Sequence, residues 1–472
     1  MRDTFGRRER PRRLGRRLLL WTTLIIVVTG GGWVLWSGTG GPSARLARPI
    51  DLVGTATPLE VALTTGRAGL ASYEIMARRP DGTLVLLAEE QIPDAGFLGS
   101  GVTDRTVRLD LNAKALGLPE GSGQIEVYAT DYAPTGFLNP REPLLQVPII
   151  VDLSPPRIRV LGGQHYVARG GSDLVVYEVG DDAVTSGVLV GDFTFEGQHP
   201  PSLPQNIRVA LYAVPHDAEA SVVPKVIAAD AAGNGRVVSF PVQVRPKTFP
   251  SEEIRVSDGF IDATVRPLLE ESDKPIPDDP VEAFLAVNRV MRRASEKELK
   301  KLTKESNPAF ALSGAFRQQP GTKVGSRFAE RRSYLYGDRI VDHQYHLGYD
   351  LASVKQTPIL AAQDGTISAS IDLGIYGNVV LIDHGLGLSS LYAHLSSSNV
   401  EPGDSVVAGQ PVGRSGQTGL ASGDHLHFSV LVRGQHVDPI EWWDPRWVRL
   451  RILEPLAEAG SGDALPQDAS SR

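Results

Sequence analysis

At 472 residues the chain is too long for one domain, and its 41% hydrophobic share is enough for ordinary cores, about three of them at roughly 100–200 residues each. Cysteine is absent, which excludes disulfides and thiolate metal sites. The net charge is −7 although residues 1–17 hold eight arginines against Asp3 and Glu9, so the remainder is acidic and lacks the basic excess of a nucleic-acid footprint.

After that basic start, Leu18 to Trp36 runs without a single charge. A helix needs about 20 apolar residues to cross a bilayer, and an arginine-rich flank keeps its own side in the cytoplasm. The expectation is a basic cytoplasmic N-terminus (1–17), a transmembrane signal anchor (18–36) and a linker (37–49). The chain would then be single-pass in the inner (cytoplasmic) membrane, with its bulk exported to the periplasm or cell-wall space. A cleavable signal peptide is the alternative. Its apolar region would be shorter, and no A-x-A site follows, since Gly38 to Pro42 has the composition of a linker.

From about Ile50 to Val244 short β-branched runs are punctuated by Gly, Pro, Asn and Asp, the pattern of antiparallel strands. The run Val127 to Pro134 is echoed by Val226 to Gly233, a repeat of about 100 residues that suggests two β-sandwiches, 50–152 and 156–246. Pro155 and Pro156 mark the boundary, because two prolines cannot continue a ladder. Ala229 to Asn234 resembles the turn of bacterial immunoglobulin-like domains, a likeness without a specific function. A spacer is the plain role for this region; a platform for an envelope protein partner or wall polymer is the other.

Residues 247–320 are expected to form a connector. Asp279-Pro280-Val281-Glu282 is a helix start, with Asp as N-cap and Pro at the first helical position, and an amphipathic pattern continues over 280–304. Packing is the default for that helix, and its place before the last domain also permits an inhibitory segment.

In 321–456 glycines recur between short apolar runs such as Asn378 to Asp383 and Leu388 to His394, so hairpins fit better than helices. Three histidine-bearing stretches stand out: His346-Leu347-Gly348-Tyr349-Asp350, Tyr392-Ala393-His394-Leu395, and Gly423-Asp424-His425-Leu426-His427-Phe428. In a strand, His425, His427 and Ser429 share one face and the two imidazoles stand about 6–7 Å apart. Imidazole and carboxylate are both zinc ligands, and a catalytic zinc typically has three protein ligands and one position left to water. Each stretch alone is weak evidence; their conjunction is specific. Together with IYGNVVLIDHG, EPGDSVVAGQPVG and SGQTG, in that order along about 327–439, they resemble the lysostaphin-type (LytM-like, Peptidase_M23-like) zinc endopeptidases.

That resemblance implies a compact antiparallel β domain that binds one Zn2+ through His346, Asp350 and His427. It makes His394 and His425 the catalytic pair acting on the water and the developing oxyanion, and peptidoglycan peptides the substrate. No HExxH occurs, so the Glu-based metalloprotease scheme does not apply. His343, His384 and His436 fall outside the family positions and are expected to be structural or exposed. The alternative function is a non-catalytic envelope regulator that activates a cell-wall amidase, though such scaffolds have lost ligands that are all present here. The expected whole is mainly β: a membrane-anchored chain with two β-sandwich domains, a helical connector, an antiparallel β metallopeptidase domain and a disordered tail (457–472).

Overall fold

The computed structural model describes residues 21–25, 27–29, 40–66, 68–93, 101–133 and 142–461. The expected anchor, 18–36, lies mostly outside them; 21–25 and 27–29 are helical. Among the described residues no helix is long and apolar enough to cross a membrane. The chain divides into two compact units, 1–155 with 230–234, and 156–229 with 235–472.

In the first unit a three-stranded sheet (Ser43–Leu46, Thr57–Thr64, Asp104–Leu111) and a five-stranded one (Leu52–Val53, Leu145–Val151, Gly121–Asp131, Leu70–Arg78, Leu84–Gln91) share a core. The period of two explains the pairing. Along Thr57–Thr64, Leu59, Val61 and Leu63 are buried while Pro58 is exposed and Glu60 half-buried, and the buried set meets Ile75, Ile125 and Val127 of the larger sheet.

The second unit opens with strands from Ile158–Leu161 to Val242–Arg245 in three small sheets. One apolar cluster joins Leu174, Tyr212 and Val226 of this region to Val380 and Phe428 of the C-terminal sheet and to Trp442 of the short helix Pro439–Trp442. Polar contacts reinforce it: Lys247 Nζ donates to Asp438 Oδ2 at 2.6 Å, and the Ser172 N–H donates to Glu441 Oε2 at 2.9 Å.

The sheet that carries Asp350, His394 and His427 runs in the order Lys323–Ser326, Tyr349–Ala352, Leu426–Val432, Leu388–Leu395, Asn378–Gly385, Gly365–Asp372 and Ser405–Val406, with all pairs antiparallel. Leu426–Val432 is buried along its whole length. One face of the sheet presents Val380, Tyr392, Phe428 and Val430 to the core just described; the other presents Leu381, Leu391, Ala393 and Leu431 to the connector helices. Those helices span Asp258–Glu271 and Pro280–Leu302, each with a central π-helical stretch. Asp279 caps the second by accepting from the Glu282 N–H, and Phe284, Val287, Met291 and Leu299 bury beneath the sheet.

The connector also contributes a strand. Ser251–Arg255 pairs in parallel with Glu330–Tyr336, which pairs antiparallel with Arg339–His346. Its sequence, Ser-Glu-Glu-Ile-Arg, has no apolar alternation and stays largely exposed, so its pairing partner had no local signal. At the far end Glu454–Ser461 is helical, where a disordered tail was expected from 457. Leu456 and Ala459 pack on the core and hold this turn; 462–472 lie outside the described residues.

Candidate metal centre

The register of the sheet places Asp350 directly opposite His427 on adjacent strands. His346 ends the strand before, and the turn Leu347-Gly348 carries the chain from it into Tyr349–Ala352. That turn needs glycine: a Cβ on residue 348 would lie 2.6 Å from both His427 Nε2 and Ser429 Oγ. The three side chains therefore converge. His346 Nε2 and His427 Nδ1 are each 2.9 Å from Asp350 Oδ1 and 3.0 Å from one another, and both imidazoles are buried.

Hydrogen bonds on the outer ring atoms set the tautomers. His346 Nδ1–H donates to the Arg327 carbonyl at 3.0 Å, which leaves Nε2 as a lone pair. His427 Nε2–H donates to Ser429 Oγ at 2.9 Å, and the Ser429 hydroxyl donates onward to the Leu347 carbonyl at 2.7 Å, so His427 Nδ1 is likewise a lone pair. Two imidazole lone pairs and one carboxylate oxygen thus face each other with no proton among them. Such a cluster repels itself unless a cation lies within it. The donor set of two neutral imidazoles and a carboxylate suits zinc, and the outer hydrogen bonds are those a metal-binding histidine normally makes.

Electrostatics agree with the geometry. Burial works against the Asp350 carboxylate, yet the surrounding His346, His425 and His427 hold it well below the usual carboxylate range. Burial, outweighing the pull of the Asp350 carboxylate, pushes His427 down to about 4. His394 falls to about 3 through burial and then the neighbouring His425 and His427. His425 is raised: its burial is outweighed by Asp350, whose Oδ1 lies 3.5 Å from His425 Nε2.

The structure brings His394 and His425 to the same place. Their rings lie 4.8 Å apart, and that of His394 lies 5.8 Å from His427. Each gives its Nδ1–H to a carbonyl, His394 to Thr418 at 2.8 Å and His425 to Gly423 at 2.7 Å, so each turns Nε2 toward the cluster, that of His425 to within 3.5 Å of Asp350 Oδ1. Alternation along Leu388–Leu395 would have put His394 on the face of Tyr392, opposite His427, because Ala393 is the residue paired with His427. A left-handed backbone at His394, φ +62°, reverses this and turns the ring into the site, at roughly 1–3 kcal/mol of local strain.

Several participants went unrecognised in the sequence. The period of two puts Ser429 on the face of His427 but does not reveal its hydrogen-bonding role. Arg332, which donates to Asp350 Oδ2 at 3.1 Å, had no local signal. Tyr376 packs its ring 5.5 Å from His427 and donates its hydroxyl to Glu296 Oε1 at 2.6 Å; Glu296 Oε2 also accepts from His436 Nε2–H at 3.1 Å. The connector helix thus reaches the underside of the cluster. The remaining histidines stand apart from the centre: His384 is buried between the Asp364 carbonyl and Ser390, and His343 meets Ser333 at the surface.

Residues 344–439 match Peptidase family M23, a span that contains His346, Asp350, His394, His425 and His427. The chain carries an M23 peptidase domain. It is similar to the DD-carboxypeptidase/endopeptidase Mpg of Neisseria meningitidis serogroup B, 36% identical over 138 residues, 29% of this chain and 31% of that protein. Peptidoglycan DD-endopeptidase ShyA of Vibrio cholerae is 34% identical over 134 residues, 28% of this chain and 30% of that protein. Among solved structures, the catalytic domain of the antimicrobial peptidase lysostaphin from Staphylococcus simulans is 30% identical, covering 26% of this chain and 92% of that one with a TM-score of 0.22. The chain spans less than a third of the length of these curated relatives.

Proposed function

We propose that the chain is a zinc-dependent endopeptidase that hydrolyses peptide bonds of peptidoglycan stems or cross-links in the cell envelope. The observation that carries this reading is the convergence of three lone pairs, from His346, Asp350 and His427, beside the Nε2 atoms of His394 and His425. Zinc held there supplies Lewis-acid polarisation of the scissile carbonyl and lowers the pKa of water. His394, kept in its neutral form by burial, accepts the proton of the attacking water at Nε2. His425, whose protonated form is favoured by Asp350, donates from Nε2 to the developing oxyanion and then to the leaving amine. Thr418 and Gly423 hold both rings in the required orientation through their carbonyls.

The rest of the chain is proposed to serve delivery. The two β regions are β-sandwich spacers, and residues 18–36 anchor the protein in the inner membrane with its bulk outside. The sharing of one core by the second β region and the metal domain supports a rigid presentation of the site within that unit. The test is clearance of a peptidoglycan suspension by the purified full-length chain with zinc. Clearance lost on chelation and restored by zinc is expected. A protein that binds zinc, leaves peptidoglycan intact and stimulates an added cell-wall amidase would instead establish the activator reading.

A further inference from the structure

Asp350 has two carboxylate oxygens, and only Oδ1 faces the histidines. Oδ2 accepts from Arg332 Nη2–H at 3.1 Å, while the same guanidinium donates through Nε–H to Glu330 Oε1 at 3.2 Å. The Arg332 side chain is only 17% exposed and that of Glu330 10%. Both sit on Glu330–Tyr336, two residues apart and therefore on one face, and the register sets Glu330 opposite His346. The neighbouring connector strand sets Glu252 opposite Arg332, so the guanidinium lies in the middle strand of a three-stranded ribbon.

A carboxylate whose second oxygen is free can swing until both oxygens bind a metal. In a site of two imidazoles and one carboxylate, that swing would crowd the position a catalytic zinc keeps for water and, with the water still bound, raise the donor count from four to five. A planar guanidinium, pinned at one edge by a second carboxylate, holds the plane of the first and draws charge from it. A lysine in the same place could give a point charge but not a fork.

We propose that Arg332, anchored by Glu330, is a positioning residue that confines Asp350 to one-oxygen ligation and so preserves the open coordination position of the metal centre. This rests on the metal reading given above and adds to it the reason why a carboxylate suits that corner of the site. Arg332 acts through Asp350 and touches no reacting atom.

The test uses the full-length chain and cobalt(II), whose visible absorption distinguishes four-coordinate from five-coordinate sites. Wild type should give the intense four-coordinate band. Arg332→Met should give the weaker five-coordinate band and bind cobalt on the order of 10- to 100-fold less tightly, the usual effect of removing an outer partner of a ligand. Arg332→Lys should fall between the two. A folded Arg332→Met protein with wild-type band and affinity overturns the positioning role while leaving the metal centre standing. A wild-type chain that takes up no cobalt overturns the metal reading and this role with it. Should Arg332→Met fail to fold, Glu330→Gln decides, since it loosens the anchor and leaves the guanidinium in place: wild-type band and affinity in that variant refute the proposal.

Discussion

Ser429→Ala removes one hydroxyl that touches neither substrate nor metal, yet it should weaken zinc binding substantially. Ser429 is fully buried; its oxygen takes the His427 Nε2–H at 2.9 Å and its own proton goes to the Leu347 carbonyl at 2.7 Å. Alanine leaves a buried N–H and a partly buried carbonyl unpaired, the N–H alone a loss of about 1–3 kcal/mol if nothing replaces the bond. His427 has a remedy within reach. By moving its proton to Nδ1 it can donate to Asp350 Oδ1, 2.9 Å away, which stabilises the metal-free state and blocks the lone pair a metal needs. Zinc must then displace that proton, so affinity should fall by about 10- to 100-fold, on the order of 1.4–2.7 kcal/mol. Competition against a chromophoric zinc chelator at neutral pH measures the change directly, with thermal unfolding of the metal-free protein as the control for folding. An affinity within twofold of wild type in a folded variant would refute the tautomer argument.

Other outcomes follow from the same geometry. His427→Ala should lose metal and activity together, whereas His425→Ala and His394→Ala should retain zinc by atomic spectroscopy and lose on the order of 10²- to 10⁴-fold in peptidoglycan hydrolysis, the double variant being little worse than either. A zinc-free His425→Ala protein would overturn that division. His346→Ala or Asp350→Ala should each abolish zinc retention, and full occupancy in either would remove that residue from the ligand set. Glu441, half-buried beside Ser172, is pushed from its ordinary 4.5 up to about 7 by burial and then by the Asp438 carboxylate. A folded-state pKa raised above the unfolded one gives stability that is complete below about 4.5 and is lost as pH rises through 7, so Glu441→Gln should gain up to about 3 kcal/mol over wild type above pH 7 and little at pH 4; parallel melting curves at both pH values refute this. A reporter fused after residue 60 should be active only in its exported form, and a soluble product beginning near residue 40 would favour a cleaved signal over the anchor.

How much of this could be read in advance depended on how local the determinant was. The pairing of His425 with His427 on one face follows from the two-residue period of a strand, and His346 and Asp350 stand four residues apart across a tight turn, so their chemistry was visible in short stretches. The amphipathic helix from Pro280 was legible from its cap and its 3.6-residue period. Strand register was not legible, and register is what sets Asp350 opposite His427 and Glu330 opposite His346. Backbone conformation was not legible either. Alternation assigns His394 to the wrong face, and only the packing that sustains φ +62° brings its ring to the His346–Asp350–His427 cluster. Arg332, Tyr376 and Glu296 come from segments far apart along the chain, and the carbonyls of Arg327 and Thr418 carry no residue signature, because any amino acid supplies one. Which side chains could hold and serve a metal is thus written in short stretches of chain; their tautomers, orientation and supporting contacts are set by hydrogen bonds between strands and helices that only long-range packing brings together.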